Sequence, residues 1–115
     1  MKFRIAIVGP KETIAGFALL GADVVPATTV ADAVPQLFRL KKAMRVEEGR
    51  ERNVYGVIFV SEDLLSGVSA EDEKKLSRGA LPAIIPLPSH HGSTGYGLAR
   101  LKRIVERAVG SDILK

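Results

Sequence analysis

The residues in this chain best suited to chemistry stand close together: Ser89, His90, His91 and Ser93, interleaved with and followed by Gly92, Gly95 and Gly97. A serine near a histidine suggests nucleophilic catalysis, with the imidazole taking the hydroxyl proton. That chemistry also needs a carboxylate to orient the imidazole and donors to hold the oxyanion, and the sequence places neither. His90 and His91 are adjacent, a poor arrangement for two metal ligands on one face. The glycines form G-x-x-G-x-G. A dinucleotide site needs G-x-G-x-x-G directly after the first strand, and no G-x-x-x-x-G-K-[ST] loop exists. No catalytic residue and no metal or cofactor ligand is assigned. The 89–97 stretch reads as a glycine-rich loop, a flexible connection or hinge ahead of the last helix.

A second set is spread along the chain. Gly9-Pro10-Lys11, Pro26-Ala27-Thr28, Ser61-Glu62-Asp63 and Pro88-Ser89-His90 each follow an apolar run that reads as a strand. In an open parallel sheet, ligands bind beyond the carboxyl ends of the strands. Gly9, Lys11, Ser61 and His90 would then line a pocket for a small ligand or a phosphate. A phosphate-accepting receiver domain would need acidic residues after the first strand, where Gly9-Pro10 stands instead. One reading of the function is therefore a ligand-sensing module, and the other is docking.

Composition narrows the choice. The chain has 115 residues, 46% of them hydrophobic, which suits one packed domain. The absence of Cys excludes disulfides, thiolate catalysis and cysteine-based zinc sites. Aromatic residues are only 5%, too few for a protein that reads nucleic acid by stacking bases. Net charge is +4, from 17 Lys and Arg against 13 Asp and Glu, so the surface is of mixed sign and an acidic protein partner fits as well as a polyanion. No apolar run approaches the ~20 residues of a membrane span, so direct membrane insertion is not expected. The opening residues read as a strand rather than a signal peptide. Cytoplasmic residence is the expectation.

These residues need elements to position them. Phe3–Val8 reads as a strand buried on both faces, broken by Gly9-Pro10. A helix over Lys11–Leu20 would bury Ile14, Phe17 and Ala18, with Gly16 permitting close packing and Gly21 as the stop. Asp23–Val25 is a short strand. The next helix is assigned Asp32 as its cap, because a cap at Thr29 would leave Pro35 in the interior. Its apolar face would be Val34, Leu37, Phe38, Leu40 and Met44. The charged run Lys41–Asn53 reads as a solvated helix end and loop, with a docking surface as the sharper alternative. Val54–Val60 is the strongest strand signal and should be central. Ser61 reads as a cap, Ser69 with Asp72 as a capping-box-like start, and Gly79 as a stop. Ala83–Ile85, framed by Pro82, Pro86 and Pro88, is a short fourth strand. In the final helix Leu98, Leu101, Ile104, Val105 and Ala108 form one stripe, and Ile113 follows in the tail. The order predicts an α/β fold: a small Rossmann-like four-stranded parallel sheet with flanking helices and a C-terminal amphipathic helix. The divisions are an α/β domain over 1–88, the loop over 89–97, and the helix and tail over 98–115.

Three stretches carry a family resemblance. They are Ile5-Ala6-Ile7-Val8-Gly9 with Glu12-Thr13 and Gly16-Phe17-x-Leu19-x-Gly21-Ala22; Pro82-Ala83-Ile84-Ile85-Pro86-Leu87-Pro88-Ser89; and Arg107-Ala108-Val109-Gly110-x-Asp112-Ile113. Taken in order they span nearly the whole chain, and it resembles the F subunit of the V-type and A-type ATPases and ATP synthases. The Lys41–Asn53 and Ser89–Gly97 segments look longer than that family's usual form. The resemblance implies a Rossmann-like domain with a C-terminal helical tail. It implies a place in the central rotor stalk, beside the coiled-coil D subunit and near the catalytic head, peripheral to the membrane. It also implies no active site of its own, a part in coupling ATP hydrolysis or synthesis to ion movement, and contacts to the partner through Leu98, Leu101, Ile104, Val105, Ala108 and Ile113.

Overall fold

The computed structural model describes residues 3–88. The final stripe, the glycine-rich loop and the tail therefore lie outside the described residues. Within them four strands, β1 (Arg4–Gly9), β2 (Asp23–Pro26), β5 (Tyr55–Ser61) and β6 (Ala83–Leu87), form a parallel sheet, as the four-strand reading expects. Their order across the sheet is β2-β1-β5-β6. A separate two-stranded antiparallel ribbon joins β3 (Met44–Glu47) to β4 (Arg50–Asn53).

β1 and β5 are interior strands, and their composition follows from that. Ile5 and Ile7 point to one face and Ala6 and Val8 to the other, and all four are buried. On the Ala6/Val8 face they meet Ile58 and Val60 of β5 beneath the helix α2 (Val30–Lys42), which contributes Ala33, Leu37 and Leu40. Leu64 of α3 (Glu62–Leu65) and Leu76 of α4 (Ala70–Leu76) complete this layer. On the other face Ile5, Ile7 and Phe59 pack with Ile14, Phe17 and Leu87. The chain steps from β1 to β2 in one direction, and then from β2 to β5 and β6 in the other. Right-handed crossovers require the corresponding helices to lie on opposite faces, as they do.

Several expectations are corrected. The Lys11–Leu20 helix is two pieces, α1 (Lys11–Ile14) and a 3₁₀ run over Ala15–Leu20. A 3₁₀ turn has three residues, so Ile14, Phe17 and Leu20 share the inner face and Ala18 is exposed. A Cβ at Gly16 would meet nothing within 4 Å, so no close packing depends on that glycine. Gly21 does end the run, at φ +86°, its N–H donating to the Ala18 carbonyl. The cap of α2 is Thr29 rather than Asp32: its hydroxyl accepts from the Asp32 N–H at 3.1 Å. Pro35 thus sits inside the helix. It forgoes one hydrogen bond to Ala31, and both residues lie on the exposed side, where water can satisfy that carbonyl. Ser69 caps α4 as expected, accepting from the Asp72 N–H at 3.1 Å. Ser61 occupies the cap position of α3 but makes no side-chain cap bond.

The largest correction concerns the charged run Lys41–Asn53. It forms the last residues of α2 and then a hairpin. Met44, expected on the inner face of α2, belongs to β3 and is 50% exposed. The ribbon turns through Glu48 at φ +53° and Gly49 at φ +77°, the paired positive angles of a type I′ turn. β6 continues through Pro86 to Leu87, beyond the short strand predicted. As an edge strand it tolerates a residue without an N–H.

Candidate functional site

The topological switch point of this sheet lies between β1 and β5, at Gly9 and Ser61, where a ligand crevice would open. The structure brings these two residues together, as the ligand-sensing reading requires. It also packs Ile14 close against Gly9. A Cβ placed on Gly9 would lie 3.1 Å from the Ile14 Cγ2 and 3.4 Å from the Ser61 Cβ. Ser61 is itself buried, and the Gly9 carbonyl accepts from the Ala27 N–H at 2.8 Å. The glycine thus admits the Ile14 side chain. Lys11, Glu62 and Asp63 lie exposed at this end of the sheet, and His90 falls outside the described residues. α1 and α3 are single turns, too short to focus an anion site.

The tightest group of titratable side chains is at the other end of the strands, and sequence reasoning missed it. Arg4 at the start of β1 donates through Nε to Asp23 Oδ2 at 2.8 Å, and its second guanidinium nitrogen pairs with Oδ1. The Tyr55 hydroxyl donates to the same Oδ2 at 2.8 Å. The Arg4 hydrogen bond holds the Asp23 carboxyl below its ordinary range; burial opposes this and the Tyr55 bond supports it. Burial, reinforced by Asp23, pushes the Tyr55 phenol up. The signal was present as a charge inside each of two apolar strand runs and a tyrosine opening a third. Every polar partner in this group is satisfied by another of its members. It stitches β2, β1 and β5 together and leaves no group poised for proton transfer. Among the described residues, no cluster of three or more His, Asp or Glu could hold a metal ion. Nor is any described helix long and apolar enough to cross a membrane.

Among the described residues the large apolar side chains most open to solvent are Leu19, Met44, Val46, Leu81 and Ile85, and apart from Leu19 they fall on or beside two surfaces. Ala83 and Ile85 of β6 lie beside Val57 and Phe59 of β5 in register. Among the described residues Ile85 keeps 39% of its surface exposed. The second surface is the outer face of the ribbon, with Met44 and with Val46 at 70% exposure. The predicted contact residues Leu98, Leu101, Ile104, Val105, Ala108 and Ile113 lie outside the described residues.

Among the described residues no reaction centre is assembled, and comparison with other proteins decides the family. A family model, ATP synthase (F/14-kDa) subunit, matches residues 5–105. The chain belongs to this family. The F subunit of the V-type ATP synthase of Fusobacterium nucleatum is 32% identical over 114 residues, covering 99% of this chain and 98% of its own. The V-type F subunit of Clostridium botulinum is 33% identical over 111 residues, with 96% and 97% coverage. The A-type F subunit of Thermococcus sibiricus is 33% identical over 110 residues, again with 96% and 97%. The fold agrees. The crystal structure of the V-type ATP synthase F subunit from Archaeoglobus fulgidus superposes with a TM-score of 0.59 at 18% identity, over 75% of this chain and 98% of that one. A member of this family is a subunit of an ATP synthase, not a self-sufficient enzyme.

Proposed function

We propose that this chain is the F subunit of a V-type or A-type ATP synthase and works in its central stalk. In this reading it binds the D subunit, lies near the catalytic head, and helps couple ATP turnover to ion movement. It is cytoplasmic and attached to the membrane only through the complex. The observation that carries the reading is the extent of the family match, through residue 105, which takes in most of the stripe from Leu98 to Ala108. The Ile14 side chain packed against Gly9 counts against the main rival, a small-ligand or phosphate-sensing module. The partner-binding residues in this reading are Leu98, Leu101, Ile104, Val105, Ala108 and Ile113. A few buried apolar anchors with a charged rim would supply both affinity and orientation.

Coexpression with the D subunit from the same genome tests this directly. A stable pair should co-purify at equal stoichiometry and be lost on deleting residues 98–115. Leu101→Asp with Val105→Asp should weaken it strongly while the 3–88 fold, monitored by circular dichroism, persists. An undiminished complex without residues 98–115 refutes the assignment of the contact, and no complex at all refutes the stalk reading.

A further inference from the structure

The ribbon β3–β4 is built inside out. Along β3 the apolar Met44 and Val46 are the exposed residues, whereas Arg45 and Glu47 are half-buried and paired with each other at 3.3 Å. A solvated hairpin would show the reverse, with charge outward and apolar side chains inward. The apolar face also continues. Met44 lines a cleft of about 510 Å³ between the end of α2 and the turn before β6, where Leu81, 37% exposed, stands on the other wall. The charged lining of this cleft is cationic, Lys41, Lys42 and Arg78, beside the neutral Asn53 and with no carboxylate among its described residues. Lys41 donates to the Arg78 carbonyl at 2.6 Å, which fixes one wall to the other. Lys42 lies over the Phe38 ring at 5.8 Å. The nearest carboxylate on this face of the ribbon is Glu51, cross-strand from Val46.

We infer that this cleft and the outer face of the ribbon form a second docking surface, for an acidic protein segment carrying apolar anchors. The anchors would seat against Met44, Val46 and Leu81, and the carboxylates would meet Lys42 and Arg78. Charge selects this occupant. The chain's own 98–108 segment carries Arg100, Lys102, Arg103 and Arg107 against a single Glu106, so its charge does not complement a cationic cleft. A second copy brings a net charge of +4. Nucleic acid would pair its phosphates with these cations but leave Met44, Val46 and Leu81 uncovered, since no aromatic side chain lines the cleft for bases to stack on. Exposed apolar side chains bordered by charged ones mark protein contacts, with the charge setting orientation and encounter rate. The residues that line this surface are other than those of 98–115, so the inference does not depend on whether that segment binds the D subunit.

The test uses the full chain and a displayed library of random twelve-residue peptides, counter-selected on the Lys42→Glu/Arg78→Glu variant. The expected consensus is acidic with one or two large apolar residues. The most enriched synthetic peptide should shift the methyl resonances of Met44, Val46 and Leu81 in the full chain. Its affinity should fall about tenfold or more in the Lys42→Glu/Arg78→Glu variant and fall again at high salt. Unchanged melting temperature would show that the charge-reversed variant is folded, and Val46→Ser provides a second, uncharged probe of the same face. No enrichment, a basic consensus, or methyl shifts elsewhere would overturn the inference. So would displacement of the peptide by a 20-nucleotide single-stranded RNA with equal loss in the variant. A concentration-dependent dimer abolished by Val46→Ser would overturn it in favour of a second copy.

Discussion

Gly67→Ala tests the packing where the α3–α4 corner meets the start of α2. Gly67 is not among the positive-φ glycines, so an alanine there suffers no backbone strain. What it meets is Val30: the new Cβ would lie 2.6 Å from Val30 Cγ2 and 3.7 Å from Val30 Cβ. Real Cβ atoms do not approach so closely, and a β-branched side chain in the first turn of a helix has few rotamers into which it can retreat. Overpacking of this kind costs about 1–3 kcal/mol. Against it, alanine restricts the unfolded chain and returns about 0.4–1 kcal/mol. The steric term wins, leaving about 1 kcal/mol of net destabilisation, or about 4 °C in melting temperature for a domain of this size. The sign should reverse in a Val30→Ala background. There the clashing methyl is gone, only the unfolded-state term remains, and the same Gly67→Ala change should be neutral or stabilising. Thermal and urea unfolding of the wild type, the two single variants and the double variant close the cycle. Equal losses from Gly67→Ala in both backgrounds would refute this account of the corner.

Two further outcomes follow from particular residues. Asp23 has its pKa lowered in the folded state, so it contributes stability above its unfolded value near 4, which is lost as pH falls through the folded value. Melting temperature should drop on acidification below about pH 4, and Asp23→Asn should be less stable at neutral pH yet show a flatter acid limb; parallel limbs would exclude the Arg4–Asp23 pair as a source of acid sensitivity. Pro35→Ala should restore the bond to the Ala31 carbonyl and raise stability by about 1–2 kcal/mol in urea unfolding, because an interior proline costs about 3 kcal/mol and its stiffening of the unfolded chain offsets only part of that.

The strands were legible because interior parallel strands are apolar on both faces, and Ile5–Val8 and Val57–Val60 have little room for another reading. Ser69 and Gly21 were legible because caps and stops act through local geometry. The errors came where two local rules competed. At α2, avoiding an interior proline was set against a good threonine cap, and the cap won because the proline falls on the solvent side. In the charged run, helical continuation from Lys41 obscured a period-two alternation from Met44 to Glu47 with Glu48-Gly49 as its turn. The alternation was visible but inverted, with the apolar residues outermost, so it lacked the usual appearance of a half-buried strand. The Arg4–Asp23–Tyr55 group joins residues on three strands, and only the register brings them together.

The site was less legible than the fold for a physical reason. Reaction chemistry restricts a few positions to a few residue types at fixed spacing, so an enzyme often announces itself in a short motif. A surface that binds by shape accepts many apolar side chains of similar size at each position. Its identity is therefore spread thinly along the chain. That is the pattern here: no single stretch is decisive, yet identity near 32% runs across 99% of the chain. The same reasoning gives Ile85 and Val46 their meaning. Neither is needed for the two core layers, and a polar residue at either position would cost the isolated domain little. An apolar side chain left in water there gains its free energy only when something covers it, so the proposed docking reading predicts that substitutions at these positions change binding more than they change the stability of the domain.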